Sequence, residues 1–323
     1  MEKKKTFLEL LKENWMSLVP YIIFIVLTAV MARINPNTLS MRWMANKADA
    51  AFSLVLVTVG QTLVLLTGGF DLSVGGVVSV TNSLLTARMS DQPAVILFWI
   101  LICVVIGFGI GVFNGFIVEK TGMQPFIVTL VTQFICLGAA LLILKIDGGN
   151  VNAGFINILM HRFGGVPLSL IMLIVLIVWW IYVRRTKFGL ALYAIGSNEK
   201  TAHLSGIPIM KTKVLAYGLS GLFASFAGIY RTAHMASGSP TAGAAFTMSS
   251  IAAAVVGGTA ITGGVGGVIG GIVGAFILRG ITDLLVFIEV PSYWTSLVQG
   301  VLLLAAVAIT SYAKLRKSAE VRL

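Results

Sequence analysis

The stretch from Gln61 to Gly76 is the part of this sequence best equipped for chemistry. Gln61 and the run Thr67, Gly68, Gly69, Phe70, Asp71, Leu72, Ser73, Val74, Gly75, Gly76 lie within otherwise apolar surroundings. Paired glycines loosen a helix, and irregular backbone at membrane depth must be buried or line a cavity. Two half-helices meeting here would turn free N–H and C=O groups into that cavity, where a polar solute can use them in place of water. Asp71 admits two readings: a cap or loop charge favoured by the N-terminus of the next helix, or a direct contact to solute.

Gln61, Asn82, Asn114 and Gln133 are further polar residues inside apolar runs. Each can join helices by hydrogen bonds or line a hydrophilic pathway. An amide both donates and accepts, which suits a hydroxyl-bearing solute. Arg231 and His234 sit near a span boundary, where a rim or loop position competes with a proton relay.

Enzyme motifs are missing. There is no GxxxxGKS/T and no Gly-Lys pair, so the chain lacks the usual phosphate cradle for ATP. HExxH, CxxC and GxSxG are absent too, so no catalytic residue, cofactor or metal is expected. Cys103 and Cys136 lie inside apolar runs without metal-ligand spacing and read as packing residues. Nearly every carboxylate falls outside the middle of a clear span, which weighs against a proton- or sodium-coupled carrier.

The elements that position these residues follow from composition. Of the 323 residues 57% are apolar and 11% charged, with mean hydropathy +0.96, and the apolar residues form long runs between short polar breaks. A span needs about 20 apolar residues. The expectation is an all-α, polytopic membrane protein with about ten transmembrane segments, eight at the fewest, forming one transmembrane domain over residues 1–323. The segments run near 16–33, 50–67, 72–89, 93–118, 125–145, 166–183, 212–233, 246–262, 264–282 and 293–312. The third, eighth and ninth are short and glycine-rich and read as broken or re-entrant. Glycine clusters at 67–76 and 255–271 suggest an internal two-fold repeat, with parallel halves for a six-segment offset and inverted halves for a five-segment offset.

The net charge of +11 reflects basic residues at span ends, and no nucleic-acid partner is expected. With the N-terminus inside and every segment crossing, fifteen of the 23 Lys and Arg residues fall on the cytoplasmic side. Both termini are therefore expected in the cytoplasm, including a tail at 313–323. No cleavable-signal layout opens the chain; Phe7, Leu10, Leu11 and Trp15 share one helical face, so residues 1–15 read as an amphipathic helix at the lipid interface. The stretch 146–165 would face outside, and 184–211 would be a cytoplasmic loop. In that loop Ser197 or Asn198 can cap a short helix carrying Glu199, Lys200, Ala202 and Leu204, with Gly206 ending it and Pro208 just beyond. Such a helix makes a docking knob for a cytoplasmic partner.

Three runs carry a family resemblance: GQTLVLLTGGFDLSVGGVVSVTN, YAIGSNEKTAHLSGIPIMKTKVLAYGLSGLFASFAGI and SGSPTAGAAFTMSSIAAAVVGGTAITGGVGGVIGG. Their order and spacing, over about residues 50 to 310, resemble the ribose/xylose/galactose-type permeases of bacterial ABC importers, within the branched-chain amino acid/ribose-type permease superfamily. The resemblance implies an inner-membrane subunit that dimerises with a second copy or a sister permease. It further implies solute delivered by an extracytoplasmic binding protein and energy from a separate cytoplasmic ABC ATPase, so the chain itself is no enzyme. It places Gly196, Asn198, Ser205 and Gly206 in the ATPase-coupling loop, beside Glu199. Gly68, Gly69, Asp71 and Ser73 fall in a discontinuous segment on the translocation pathway, near Gln61, Asn82 and Asn114. Phe70 stands where the family commonly carries isoleucine and Gln61 where methionine is common, so the solute need not be ribose. Three alternatives compete: an ion-coupled secondary transporter or channel without an ATPase, a membrane-embedded enzyme, and the same importer class carrying a quorum signal or nucleoside.

Overall fold

A computed structural model describes residues 7–291 together with 294, 297, 298, 300, 301 and 304, and describes side chains from Leu18 onward. The helices are α1 (Phe7–Ile34), α2 (Met41–Leu66), α3 (Val74–Ala87), α4 (Pro93–Thr121), α5 (Pro125–Ile143), α6 (Ala153–Leu159), α7 (Leu168–Val183), α8 (Lys187–Ser197), α9 (Glu199–Leu204), α10 (Ile209–Met235), α11 (Ala244–Val256) and α12 (Val268–Phe287). A 3-10 turn at Pro36–Leu39 separates α1 from α2. The two-residue strands β1 (Arg162–Phe163) and β2 (Val166–Pro167) pair antiparallel in the loop before α7. Among the described residues the protein is all-α apart from that ribbon.

Among the described residues five helices are long and apolar enough to cross a membrane: α2, α4, α5, α10 and α12. A sixth span results if α7 and α8, bent by 74° at their junction, count as one. Leu18–Ile34, α3 and α11 are shorter apolar helices. The stretch 293–312 falls mostly outside the described residues, as does the tail 313–323. The same holds for the side chains of the N-terminal amphipathic face.

Two expectations need correction. The ninth segment is no broken helix: α12 runs unbroken for 20 residues. Its glycines serve close approach instead, since a Cβ on Gly270 or Gly274 would overlap the backbone carbonyls of Gly257 and Ala253. The stretch 184–211 is also more than a loop with one short helix. Thr186 caps α8 by accepting the amide of Gly189, and Gly189, Ala191, Leu192 and Ile195 bury one face of it.

α2 is the axis of the bundle. Most of its side chains are buried, and Phe52, Val55, Leu56, Val59 and Leu63 anchor a core shared with α3, α10, α11 and α12. α4 is apolar all round, and Leu97, Phe98, Leu101 and Val105 point outward, as a lipid-facing helix requires. Between lipid-exposed helices the attraction is van der Waals packing, so close approach matters. Gly107, Gly111 and Gly115 recur every fourth residue along the face of α4 that meets α10, and a Cβ on Gly115 would lie 2.8 Å from Val214 Cα.

Polar contacts mark both ends of the bundle. At one end Asp49 of α2 accepts Ser169 Oγ at 2.6 Å and Tyr230 OH at 2.9 Å. Nearby, Lys47 pairs with Asp283, and Gly148 bridges to Gly238. At the other end the last turns of α2 and α4, the helices α8 and α9 and the first turn of α10 gather.

Candidate functional site

α2 ends because the sequence supplies a left-handed stop. Gly68, at φ +80°, donates its amide to Leu65 O at 2.9 Å, while Gly69 donates to Val64 O at 3.2 Å. These two bonds form a Schellman cap, which glycine adopts without the Cβ penalty other residues suffer. Phe70 to Ser73 then run without regular structure before α3 starts at Val74. The segment is thus discontinuous where the paired glycines and Asp71 place it.

Asp71 holds this irregular stretch from within. Its Oδ1 accepts both the amide of Ser73 at 3.0 Å and the Ser73 hydroxyl at 2.6 Å. The Ser73 hydroxyl accepts from Asn114 Nδ2 at 2.9 Å, and Asn114 Oδ1 accepts from Thr132 Oγ1 at 2.7 Å. A buried chain Thr132–Asn114–Ser73–Asp71 therefore ties α5, α4 and the start of α3 to the break. Asp71 is fully buried; among the described residues no hydrogen bond within 3.5 Å reaches its Oδ2, and the Ser220 hydroxyl of α10 lies beside the carboxylate.

Below the break lies a cavity of about 360 Å³, lined by Thr67, Gly68, Gly69, Val118, Glu119, Gly122, Met123, Pro125, Glu199, Lys213 and Tyr217. Tyr217 of α10 packs on Gly69 and donates its hydroxyl to Phe70 O at 3.2 Å. Lys213, one helical turn before Tyr217, bridges Glu119 of α4 at 2.7 Å and Glu199 of α9 at 2.9 Å. A larger hollow of about 590 Å³ along α1 is open and almost wholly apolar, as surface against acyl chains would be.

α9 is a short capped helix of six residues. Asn198 Oδ1 accepts the amide of Thr201 at 3.0 Å, Ser205 Oγ donates to Thr201 O at 2.9 Å, and Gly206 leaves the helix at φ +77°. Of the two candidate caps, Asn198 fills the position. Gly196, at the end of α8, faces Leu66 O and the backbone of Gly263 and Gly264, and a Cβ there would collide with all three. Gly264 donates its amide to Leu66 O at 3.0 Å, and Gly263 lies against Gly68. The two glycine clusters of the sequence thus meet each other and the helix leading into α9.

The structure brings Asp71, Ser73 and Asn114 into one network, and Gly68, Gly69 and Glu199 around one cavity. Gln61 joins neither: it is fully buried, and both its amide atoms lack partners among the described residues. Asn82 lies toward the opposite end, donating to Thr232 Oγ1 at 2.8 Å and accepting the Ser239 amide at 2.6 Å, the helix-joining arrangement. Gln133 joins helices too, its Oε1 accepting Thr247 Oγ1 at 3.0 Å. Thr132, Glu119, Lys213 and Tyr217 escaped the sequence reading. The only signal for the last two was their spacing of four, which puts both on one face of α10.

The family model described as "Branched-chain amino acid transport system / permease component" matches residues 44–307. The Ribose import permease protein RbsC of Escherichia coli (strain K12) is 35% identical over 296 residues, covering 89% of this chain and 91% of its own. The protein of the same name from Bacillus subtilis (strain 168) is 34% identical over 294 residues, covering 90% of this chain and 91% of its own. The Galactose/methyl galactoside import permease protein MglC of Escherichia coli (strain K12) is 30% identical over 334 residues, covering 97% and 98%. No solved structure shows significant similarity to the chain. With a broken glycine-rich segment in a helical bundle and a family match over most of its length, this chain belongs to the branched-chain amino acid transport system permease component family.

Proposed function

We propose that the chain is the transmembrane permease subunit of an ATP-binding-cassette importer for a small polar solute, most simply a monosaccharide. The carrying observation is the placement of α9. This capped helix stands at the end of the bundle where the broken segment opens into a cavity, and Lys213 ties it to that cavity's wall. A helix so placed is suited to receive a push from a cytoplasmic ATPase, so residues 184–211, with Gly196, Asn198, Glu199, Ser205 and Gly206, form the coupling region. Names of relatives that include ribose and galactose import support a sugar as cargo.

In this reading Gly68, Gly69, Asp71, Ser73 and Asn114 shape the pathway, with Gln61 and Asn82 beside it. The chain is one permease domain of about ten spans in the bacterial inner membrane, with both termini cytoplasmic and its glycine clusters related by an internal repeat. Arg184, Arg185, Lys187, Lys200, Lys211 and Lys213 gather in sequence around α9, and Lys120 stands in the last turn of α4 at the same end of the bundle, which supports a cytoplasmic placement. The permease works as a pair, with a second copy or a sister subunit, and takes solute from an extracytoplasmic binding protein.

The test is affinity capture of the tagged chain from gently solubilised membranes of its host, with mass spectrometry of co-purifying proteins. Recovery of a protein with Walker motifs, together with ATP-dependent solute uptake, is the expected result. Recovery of the chain alone, with uptake driven by an ion gradient, would replace this reading with a secondary transporter.

A further inference from the structure

The Lys213 bridge is asymmetric, and the asymmetry says which contact yields. The side chains of Lys213 and Glu119 are both 13% exposed, whereas Glu199 is 52% exposed. A pair held largely out of water loses much when one partner departs, because the remaining charge is left desolvated. An exposed pair is screened and contributes at most about 1 kcal/mol. Lys213 is therefore anchored on α4 through Glu119 and holds α9 through the weak Glu199 arm. Glu199, Lys213 and Glu119 all line the cavity under the Gly68–Gly69 break. On the same face of α10, one turn further, Tyr217 grips Phe70 O and rests on Gly69.

We propose that the Glu199–Lys213 contact is a latch across the mouth of this cavity. Release of α9 from Lys213 opens the space beneath the broken segment, and the first turns of α10 pass the movement through Tyr217 to Phe70 and Gly69. The latch rests on the coupling-region reading for its trigger, a partner acting on α9, but not for its geometry. Lys213 is a positioning residue in this scheme: it acts on access to the cavity by holding α9.

Thr67 supplies a reporter. It lines the cavity and is 6% exposed, and the native Cys103 and Cys136 are buried at 1% and 4%, so the background from them is small. In vesicles of both orientations carrying Thr67→Cys, the rate of modification by a membrane-impermeant maleimide is measured with and without Glu199→Gln. Glu199→Gln removes the exposed arm and leaves the Lys213–Glu119 pair in place, so folding is preserved; size-exclusion chromatography in detergent checks this.

Unlatching is expected to raise the rate about fivefold, the factor matching loss of an exposed ion pair. Raising the salt concentration should speed labelling while Glu199 is present and have no effect once Glu199→Gln is introduced, since only the carboxylate forms a screened pair to weaken. Equal labelling rates with and without Glu199→Gln in both vesicle orientations would overturn the latch. In the complex with its co-purified ATPase, ATP should accelerate labelling of the form that retains Glu199. If Glu199→Gln accelerates labelling while ATP does nothing, the latch stands and the ATPase-coupling reading falls.

Discussion

Asn114 of α4 reaches 2.9 Å to the hydroxyl of Ser73, the residue immediately before α3, and so clamps a transmembrane helix to the broken segment. Its other amide atom takes the Thr132 hydroxyl of α5, so one side chain satisfies groups from two neighbours. An amide alone among uncharged side chains of that size can donate and accept at once through two separate atoms.

Asn114→Leu removes both bonds, leaving the Ser73 hydroxyl its bond to Asp71 and the Thr132 hydroxyl its bond to Val128 O, but unlinking α4 from both. Hydrogen bonds between membrane helices contribute about 0.6 kcal/mol each on average, up to about 2. We expect a lowered melting temperature in detergent and a loss of uptake larger than the fall in protein yield. Unchanged uptake and melting would mean that the clamp is dispensable.

Asp71 works through Oδ1, which accepts two bonds from Ser73, and an asparagine keeps that acceptor. Asp71→Asn should therefore assemble normally and lose uptake only modestly, while Asp71→Ala should lose most uptake and some stability. Abolished uptake in a well-assembled Asp71→Asn protein would point to the carboxylate itself, through its unpartnered Oδ2.

Two glycines two residues apart on α4 separate packing from composition. Around Gly109 a Cβ meets nothing within 4 Å, whereas at Gly111 it would overlap the carbonyl of Tyr217. Gly111→Ala should cost about 1–3 kcal/mol through forced separation of α4 and α10, and Gly109→Ala should be neutral. Comparison of yield and thermal stability in detergent checks the pair, and equal behaviour would contradict the close crossing.

Asn198→Pro deletes the Asn198 amide that donates to Ala194 O and the side chain that caps α9. The cap alone contributes about 1 kcal/mol. Charge reversal, Glu199→Lys, sets two ammonium groups against each other at Lys213. Both variants should abolish uptake while leaving the membrane bundle intact by size-exclusion profile. Wild-type uptake in either would remove α9 from the coupling role.

Much of this was legible without coordinates, because it depends on neighbours within a few positions. Run length marks an apolar helix: among the described residues nine of the ten expected segments overlap helices, of which five, or six with the bent α7–α8 pair, are long and apolar enough to cross a membrane. The break at Gly68–Gly69, the cap at Asn198 and the stop at Gly206 each need only a local φ or a side chain two or three residues away. The rest was decided by packing. α4 is apolar on every face, so no periodicity says that Gly107, Gly111 and Gly115 meet α10 while Gly109 does not. Glycines break the chain after α2, where Gly68 takes φ +80°, and pack α12 unbroken, where Gly270 and Gly274 stay helical against the backbone of Gly257 and Ala253. Lys213 reads as one more basic residue at a span end until Glu119 and Glu199 are seen beside it. Local sequence determined where helices start, stop and break; the rotation and crossing of those helices, which depend on partners far along the chain, determined which residues share a site.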